Sequence, residues 1–427
     1  MTESSLVTTR SQATYNELCS VIPGGVNSPF RGYQEVGGSP VLFNKGQGAS
    51  LSDLDGNTYL DYVGGWGPMI LGHGHPRVAG AVKEMLDEGF LLGSSHPLEL
   101  ECARLVQKAF PSMAMVRFVN SGTEAVQSAV RLARACTKKD KVLRFEGSYH
   151  GHVDGLVDAF GVRKIEGTGV PESIARNTLS GPFNDVEALR NMFEHHAKEL
   201  ACVLVEPVAG SMGVVAADPE FLKALRELTS ANRVVLIFDE VLTGFRVAFG
   251  GAQERYGIQA DLTCLGKILG GGLPAGAYGG KAELMQRIAP GGPVYQAGTF
   301  SGNPLTMRAS IETLNILAEE NVYDELDRTA GMLEEGLVAA AKSAKIPVQV
   351  PRVGSMFSVM FTHRPPRNIR DAEFADSKRF AAFFHGMLNR GVFFPPSLHD
   401  AAFVSTAHTR DDIEKTVEAA EEVFKSL

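Results

Sequence analysis

The sequence predicts an α/β protein, with a large domain on a mostly parallel sheet covered by helices and a smaller α+β domain after it. Three observations carry this. From about residue 60 to 310, short continuous apolar runs alternate with helical patterns, as parallel strands buried on both faces require. Several of those runs end on a polar or charged residue, and ligands of such sheets sit beyond the carboxyl ends of the strands. After about residue 310 the alternation gives way to long helical patterns around one strand-rich stretch, which reads as a separate domain.

The elements follow in order. Residues 1–60 are rich in Gly, Pro and Ser and are read as an N-terminal segment packing with the smaller domain. Within it, "VLFNKGQGASLSDLDGNTYLDY" alternates around Asp55-Gly56, the mark of an antiparallel hairpin. The large domain is placed at 61–310. There "MVRFV" (115–119) precedes a helix, "VLRF" (142–145) stands alone, and "ACVLV" (201–205) leads to a helix at about 219–230. "VVLIF" (234–238) and "LTCL" (262–265) follow. The small domain, 311–427, is expected to begin within one long helix near 307–342 and to continue through antiparallel strands in "VQVPRVGSMFSVMFT". It closes on an amphipathic helix whose Ile413, Val417, Ala420 and Phe424 share a face.

Bulk properties narrow the function. The chain has 427 residues, 44% hydrophobic and 21% charged, room for two or three domains with sizeable cores. Its formal net charge of −8 argues against a nucleic-acid binder, which would show a basic stripe. The five cysteines are scattered and form no C-x-x-C, so neither a disulfide framework nor a zinc site is expected and a reducing cytoplasm fits. The polar start "MTESSLVTTRSQ" does not resemble a secretory leader, and apolar runs such as "VVLIF" are too short to span a bilayer. The pairs His73/His75 and His150/His152 have no third-ligand pattern beside them, so no metal site is expected.

The chemistry gathers at the strand ends. In "FVNSGTEAV", Ser121 and Glu124 have capping-box spacing, which puts Ser121, Gly122 and Thr123 at a helix N-terminus. That place suits a phosphate, although a plain cap uses the same residues. Asp239 follows the five apolar residues of "VVLIF", where a carboxylate is costly unless it meets a cation or strong donors. A helix cap or structural ion pair would also explain it. Glu206 holds the equivalent place in "VLVEPV", as a site residue or as a loop carboxylate at the sheet edge. Lys267 follows "LTCL" directly and opens "KILGGGLPAGAYGG", whose glycines read as turns and close backbone passages. The stretch fails as a P-loop. A lysine in a crowded, partly dry place has its ammonium form disfavoured, which suits imine formation and proton transfer. An anion cradle, a carboxylate for a ring nitrogen and an imine-forming amine are what pyridoxal phosphate requires. Tyr149 in "GSYHGH" adds an aromatic able to stack on a ring. Trp66, in "GGWGPM", is read as core or as a tight wall near a ligand.

With these residues on the page, the chain resembles the class III, fold-type I aminotransferases over nearly its whole length. The motifs are "NSGTEAV", "YHGH", "VEPVAGSMG", "FDEVLTGFR", "LGKILGGGLPAGAYGG" and "QAGTFSGNP". The stretches "IPGGVNSPFRG" and "DYVGGWGPMILGHGHP" are similar to the family's aminomutase branch, which exchanges an amino group within one substrate on the way to tetrapyrroles. The resemblance implies a pyridoxal/pyridoxamine phosphate cofactor, with Lys267 as the imine lysine and Asp239 on the ring nitrogen. It places Tyr149 over the ring and Gly122 and Thr123 on the phosphate. It implies that Thr299 reaches the phosphate of a neighbouring subunit, hence a homodimer with shared active sites. Ser28 and Arg31 match residues that meet the substrate carboxylate, and Trp66 one that lines the substrate pocket. The chain departs from the family at Asp400, where many members carry Glu, at Ser211, at Ser94–Pro97, and in the lid segment "GLVDAFGVRKIEGTGVP". These departures leave a related ω-aminotransferase or amino-acid racemase as the alternative.

Overall fold

The structure is a computed structural model and describes residues 6–157, 169–319 and 321–427. The chain divides into two compact units. One runs to His75 and adds Asp324–Pro366 and Asp371–Leu427; the other is Pro76–Tyr323 with Arg367–Arg370.

The larger unit is built on a seven-stranded sheet. Its spatial order is Met115–Val119, Gly276–Gly280, Leu262–Gly266, Val235–Asp239, Leu200–Val205, Lys141–Phe145 and Thr178–Gly181. The apolar runs read from the sequence are all strands here. Leu200–Val205, Val235–Asp239 and Leu262–Gly266 are buried at every residue, so both faces of the sheet are covered. On one face the helix Gly122–Thr137 sets Ala125, Ala129, Leu132 and Ala133 against Cys202, Leu204, Ile237, Leu262 and Cys264. Burial of each large aliphatic side chain there contributes roughly 1.5–3 kcal/mol.

The glycine-rich stretch after Lys267 departs from the sequence reading. Gly276–Gly280 is not a turn but a fully buried strand, antiparallel to both of its neighbours in an otherwise parallel sheet. Glycine weakens a strand unless another backbone comes too close for a side chain, and here it does. A Cβ on Gly276 would collide with the Ser121 carbonyl oxygen, one on Gly279 with that of Met115, and one on Gly280 with that of Asp261. The turn reading holds just upstream, where Gly271 and Gly272 have φ of +58° and +99°.

The long helix expected near 307–342 is two helices, Pro304–Leu317 and Val322–Ser343. Between them Asn321 takes a left-handed φ of +70°, which ends an α-helix and which Asn tolerates better than most residues. The apolar pattern ran on across the break and concealed it. Pro304–Leu317 packs on Pro76–Glu88 and Pro97–Ala109 within the larger unit.

The smaller unit holds the expected hairpin. Ser50–Asp53 pairs antiparallel with Thr58–Asp61 around Asp55-Gly56, and Val392–Phe393 joins Thr58–Asp61 in parallel. A second sheet joins Arg352–Val353, Met356–Phe357 and Ala402–Phe403. The closing helix Arg410–Ser426 buries Ile413, Thr416, Ala420, Val423 and Phe424, with Val417 half-buried. Phe424 stacks on Phe383 at 5.1 Å. Among the described residues, no helix is long and apolar enough to cross a membrane.

The close contact at Gly276 is testable. Backbone cannot move aside as a flexible side chain can, so Gly276→Ala should cost about 3 kcal/mol of stability, read as a lowered melting temperature. A variant melting like the wild type would show that the sheet yields there.

Candidate active site

Six of the residues singled out in the sequence meet in the larger unit. Gly122, Thr123, Tyr149, Glu206, Asp239 and Lys267 line one cavity of about 210 Å³ at the carboxyl ends of the strands. His150, Ser211 and Val241 line it too.

The helix Gly122–Thr137 presents its N-terminus there. Ser121 is its N-cap, and its side chain accepts from the Glu124 N–H at 3.2 Å. Glu124 answers one residue earlier than a capping box requires, accepting from the Asn120 N–H at 2.8 Å. The first-turn N–H groups of Gly122 and Thr123 have no acceptor within the helix and carry its positive dipole end. A Cβ on Gly122 would lie 2.7 Å from Val241 Cγ1, and one on Gly151 would strike the Thr123 hydroxyl. Both glycines are therefore conditions for this close packing.

Asp239 ends the strand Val235–Asp239 and is 4% exposed. It accepts from the Val241 N–H at 3.1 Å, and its Oδ2 lies 2.8 Å from His150 Nδ1. With a carboxylate as acceptor, Nδ1 carries the hydrogen. His150 is 1% exposed. The sequence reading weighed it as a metal ligand or a packing residue; the structure makes it the partner of Asp239. Its place beside Tyr149 was the only signal.

Glu206 is buried and accepts from the Tyr149 N–H at 2.8 Å. Burial, and then the charge of Asp239, push its carboxyl up to about 8, against the pull of the Tyr149 and Gly210 N–H groups and of Lys267. Lys267 is half-buried and sits at φ +46°, the left-handed region that a long side chain rarely occupies. Such strain persists where surrounding structure enforces it, often at sites of function. Gly266 before it packs on Val241 and Gly122.

The donor set fits a phosphorylated pyridine. It offers free helix N–H groups for a phosphate, a buried carboxylate for a ring nitrogen, an aromatic side chain and one amine. Thr299 is elsewhere, on an exposed turn, and does not line this cavity. Of the lid segment noted in the sequence, residues 158–168 lie outside the described residues.

The remaining candidates belong to the smaller unit. Arg31 and Trp66 line a second cavity, of about 490 Å³, together with Asp61 and His73. Ser28 precedes the short turn Pro29–Arg31 at its N-cap position, without a side-chain capping bond. Asp400 is buried between Val392–Phe393 and Ala402–Phe403, its N–H donating to the Ser397 carbonyl at 3.4 Å. Neither Ser28 nor Asp400 lines that cavity.

The Glu206 carboxyl gives a pH test. Because it titrates higher folded than unfolded, the folded chain holds its proton more tightly. That contribution is complete below the ordinary Glu range and is lost as pH rises toward about 8. In cofactor-free protein, the melting temperature of the wild type should fall relative to Glu206→Gln between about pH 5 and about pH 8. A difference that stays flat across that window would contradict the assignment.

The chain matches the family model described as aminotransferase class-III over residues 33–419. It is 51% identical to glutamate-1-semialdehyde 2,1-aminomutase of Thermodesulfovibrio yellowstonii over 98% of this chain and 100% of that one. An omega-transaminase from Sphaerobacter thermophilus superposes with a TM-score of 0.90 at 33% identity, covering 97% of both chains. A lysine-to-alanine variant of a glutamate-1-semialdehyde-aminomutase from Pseudomonas aeruginosa, in complex with PMP, gives 0.88 at 28% identity, covering 97% of this chain and 94% of that one. With its mostly parallel sheet and its lysine, aspartate and helix terminus around one cavity, the chain belongs to the class-III aminotransferase family, and within it to the glutamate-1-semialdehyde 2,1-aminomutases.

Proposed function

We propose that this protein converts glutamate-1-semialdehyde to 5-aminolevulinate, an intramolecular amino exchange that serves tetrapyrrole synthesis. The observation that carries the reading is the full-length 51% identity to a protein of that name. Substrate and product are isomers, so the exchange consumes no external amine or keto acid.

Pyridoxal/pyridoxamine phosphate, when bound, supplies the electron sink that makes a carbon-bound hydrogen of the substrate acidic. The residues of the chain do the rest. The N–H groups of Gly122 and Thr123 hold the phosphate. Asp239, fixed by His150, faces the ring nitrogen with its carboxylate, and Tyr149 covers the ring. Glu206, protonated near neutral pH through its burial, adds a hydroxyl donor without a second full negative charge beside Asp239. Lys267 takes a proton from one carbon and returns it to another through Nζ, and its enforced backbone limits where that amine can reach. Arg31 meets the substrate carboxylate as a fork, with Ser28 beside it in sequence, Trp66 as a pocket wall and Asp400 replacing the usual Glu toward the substrate amine.

The protein acts as a homodimer in which Thr299 reaches the phosphate held by the neighbouring subunit; its exposure on a turn supports this. The reaction is placed in the cytoplasm, in keeping with five unpaired cysteines.

Protein loaded with the cofactor should form 5-aminolevulinate from glutamate-1-semialdehyde alone. An absolute need for a separate amine donor and keto acid would instead identify an ω-aminotransferase. Lys267→Ala should lose activity by ~10³-fold or more and should lack the absorption band of the lysine-bound cofactor. Retained turnover in that variant would remove the amine from the mechanism.

A further inference from the structure

Trp66 is the only tryptophan of the chain, and its backbone is unusual. Gly64, Gly65 and Trp66 occupy the left-handed region in succession, at φ +53°, +61° and +68°. For a bulky aromatic that is a true outlier, so something nearby must hold the turn. Within the turn the Trp66 N–H donates to the Val63 carbonyl at 2.9 Å, and the N–H groups of Gly67 and Met69 both donate to that of Gly64 at 3.1 Å.

The holding group is Asp61. Its carboxylate, 3% exposed, accepts from the Val63 N–H at 2.8 Å and from the Gly64 N–H at 3.1 Å with each oxygen. The same carboxylate meets His73 Nε2 at 2.7 Å. His73 is itself fixed from two sides. Its backbone exchanges both hydrogen bonds with Gly48, at 2.7 and 2.8 Å. Its ring lies so close over Gly46 that a Cβ there would be 2.8 Å from the ring. The hairpin beginning at Phe43 thus orients His73, His73 orients Asp61, and Asp61 ties down the turn that carries Trp66. Asp61, His73, Trp66 and Arg31 line the same cavity, and the Trp66 ring packs against Phe30 at 5.7 Å.

We propose that Asp61, clamped by His73, is a positioning residue that sets the Trp66 ring as a wall of the substrate pocket beside Arg31. The proposal rests on the reading of Trp66 as a substrate-facing residue. Asp61 touches no reacting atom; it acts only through the turn.

The single tryptophan makes the test direct. In the holoenzyme, Asp61→Asn replaces one acceptor oxygen by a donor, so Trp66 emission should shift to the red and acrylamide quenching should strengthen. KM for glutamate-1-semialdehyde should rise about tenfold with little change in kcat, and the cofactor absorption should stay as in the wild type. His73→Ala should do the same more weakly, and His73→Gln, which keeps a donor for Asp61, should restore most of both signals. If Asp61→Asn does not fold, the two His73 variants decide. Wild-type emission and KM in Asp61→Asn and His73→Ala would overturn the proposal. Equal losses of kcat and cofactor absorption would overturn it too, since they would mark general damage. Trp66→Phe separates the two ideas: a wild-type KM there removes Trp66 from substrate binding, while the emission shift in Asp61→Asn still reports whether Asp61 holds the turn.

Discussion

The site depends on a contact made without side chains. Gly276–Gly280 runs antiparallel between Met115–Val119 and Leu262–Gly266, and three of its glycines lie against carbonyl oxygens. One neighbour leads into Ser121 and the helix that offers free N–H groups; the other ends at Lys267. The spacing between that helix terminus and the Lys267 amine is therefore set by how closely three backbones approach. Gly122 and Gly266 extend the arrangement at the strand ends, where both pack on Val241. A methyl group at any of these positions would act on the chemistry by moving a whole element.

Electrostatics complete what the backbones begin. Two carboxylates, Glu206 and Asp239, share a small buried volume with one amine. Two full negative charges so close and so dry would repel strongly. The structure gives them different partners. Asp239 receives the imidazole of His150 and a backbone N–H, whereas Glu206 has backbone donors only and is pushed toward its neutral form. One acid is thereby suited to facing a cationic ring nitrogen and the other to donating a hydrogen bond. This division rests on His150, which the sequence showed only as one half of an H-x-H pair with no third ligand beside it.

Much of the fold was legible because its signals were local. The apolar runs at 201–205 and 234–238 announced buried strands, and the residue after each, Glu206 and Asp239, announced a site. Asp55-Gly56 announced its hairpin. Two features were hidden for physical reasons. Three of the five residues of the Gly276–Gly280 strand are glycines and only Ala277 and Tyr278 carry side chains, so periodicity had little to report. The break between Leu317 and Val322 lies inside a pattern that fits one helix as well as two. The pairing of Asp61 with His73 was likewise out of reach, since it depends on a glycine-lined hairpin that only tertiary structure brings beneath the imidazole.

The glycine-rich strand also bears on what completes the site. Glycine loses more freedom on ordering than any other residue, and in Gly276–Gly280 only Ala277 and Tyr278 bring apolar surface to offset that loss. Its place is fixed by the strands paired with it on either side. The amine of Lys267 and the helix terminus at Ser121, separated by well over a hundred residues of chain, thus come into register only as the sheet closes. The larger unit has the geometry of its site only when that sheet is complete, and a half-formed sheet holds the right residues without a site.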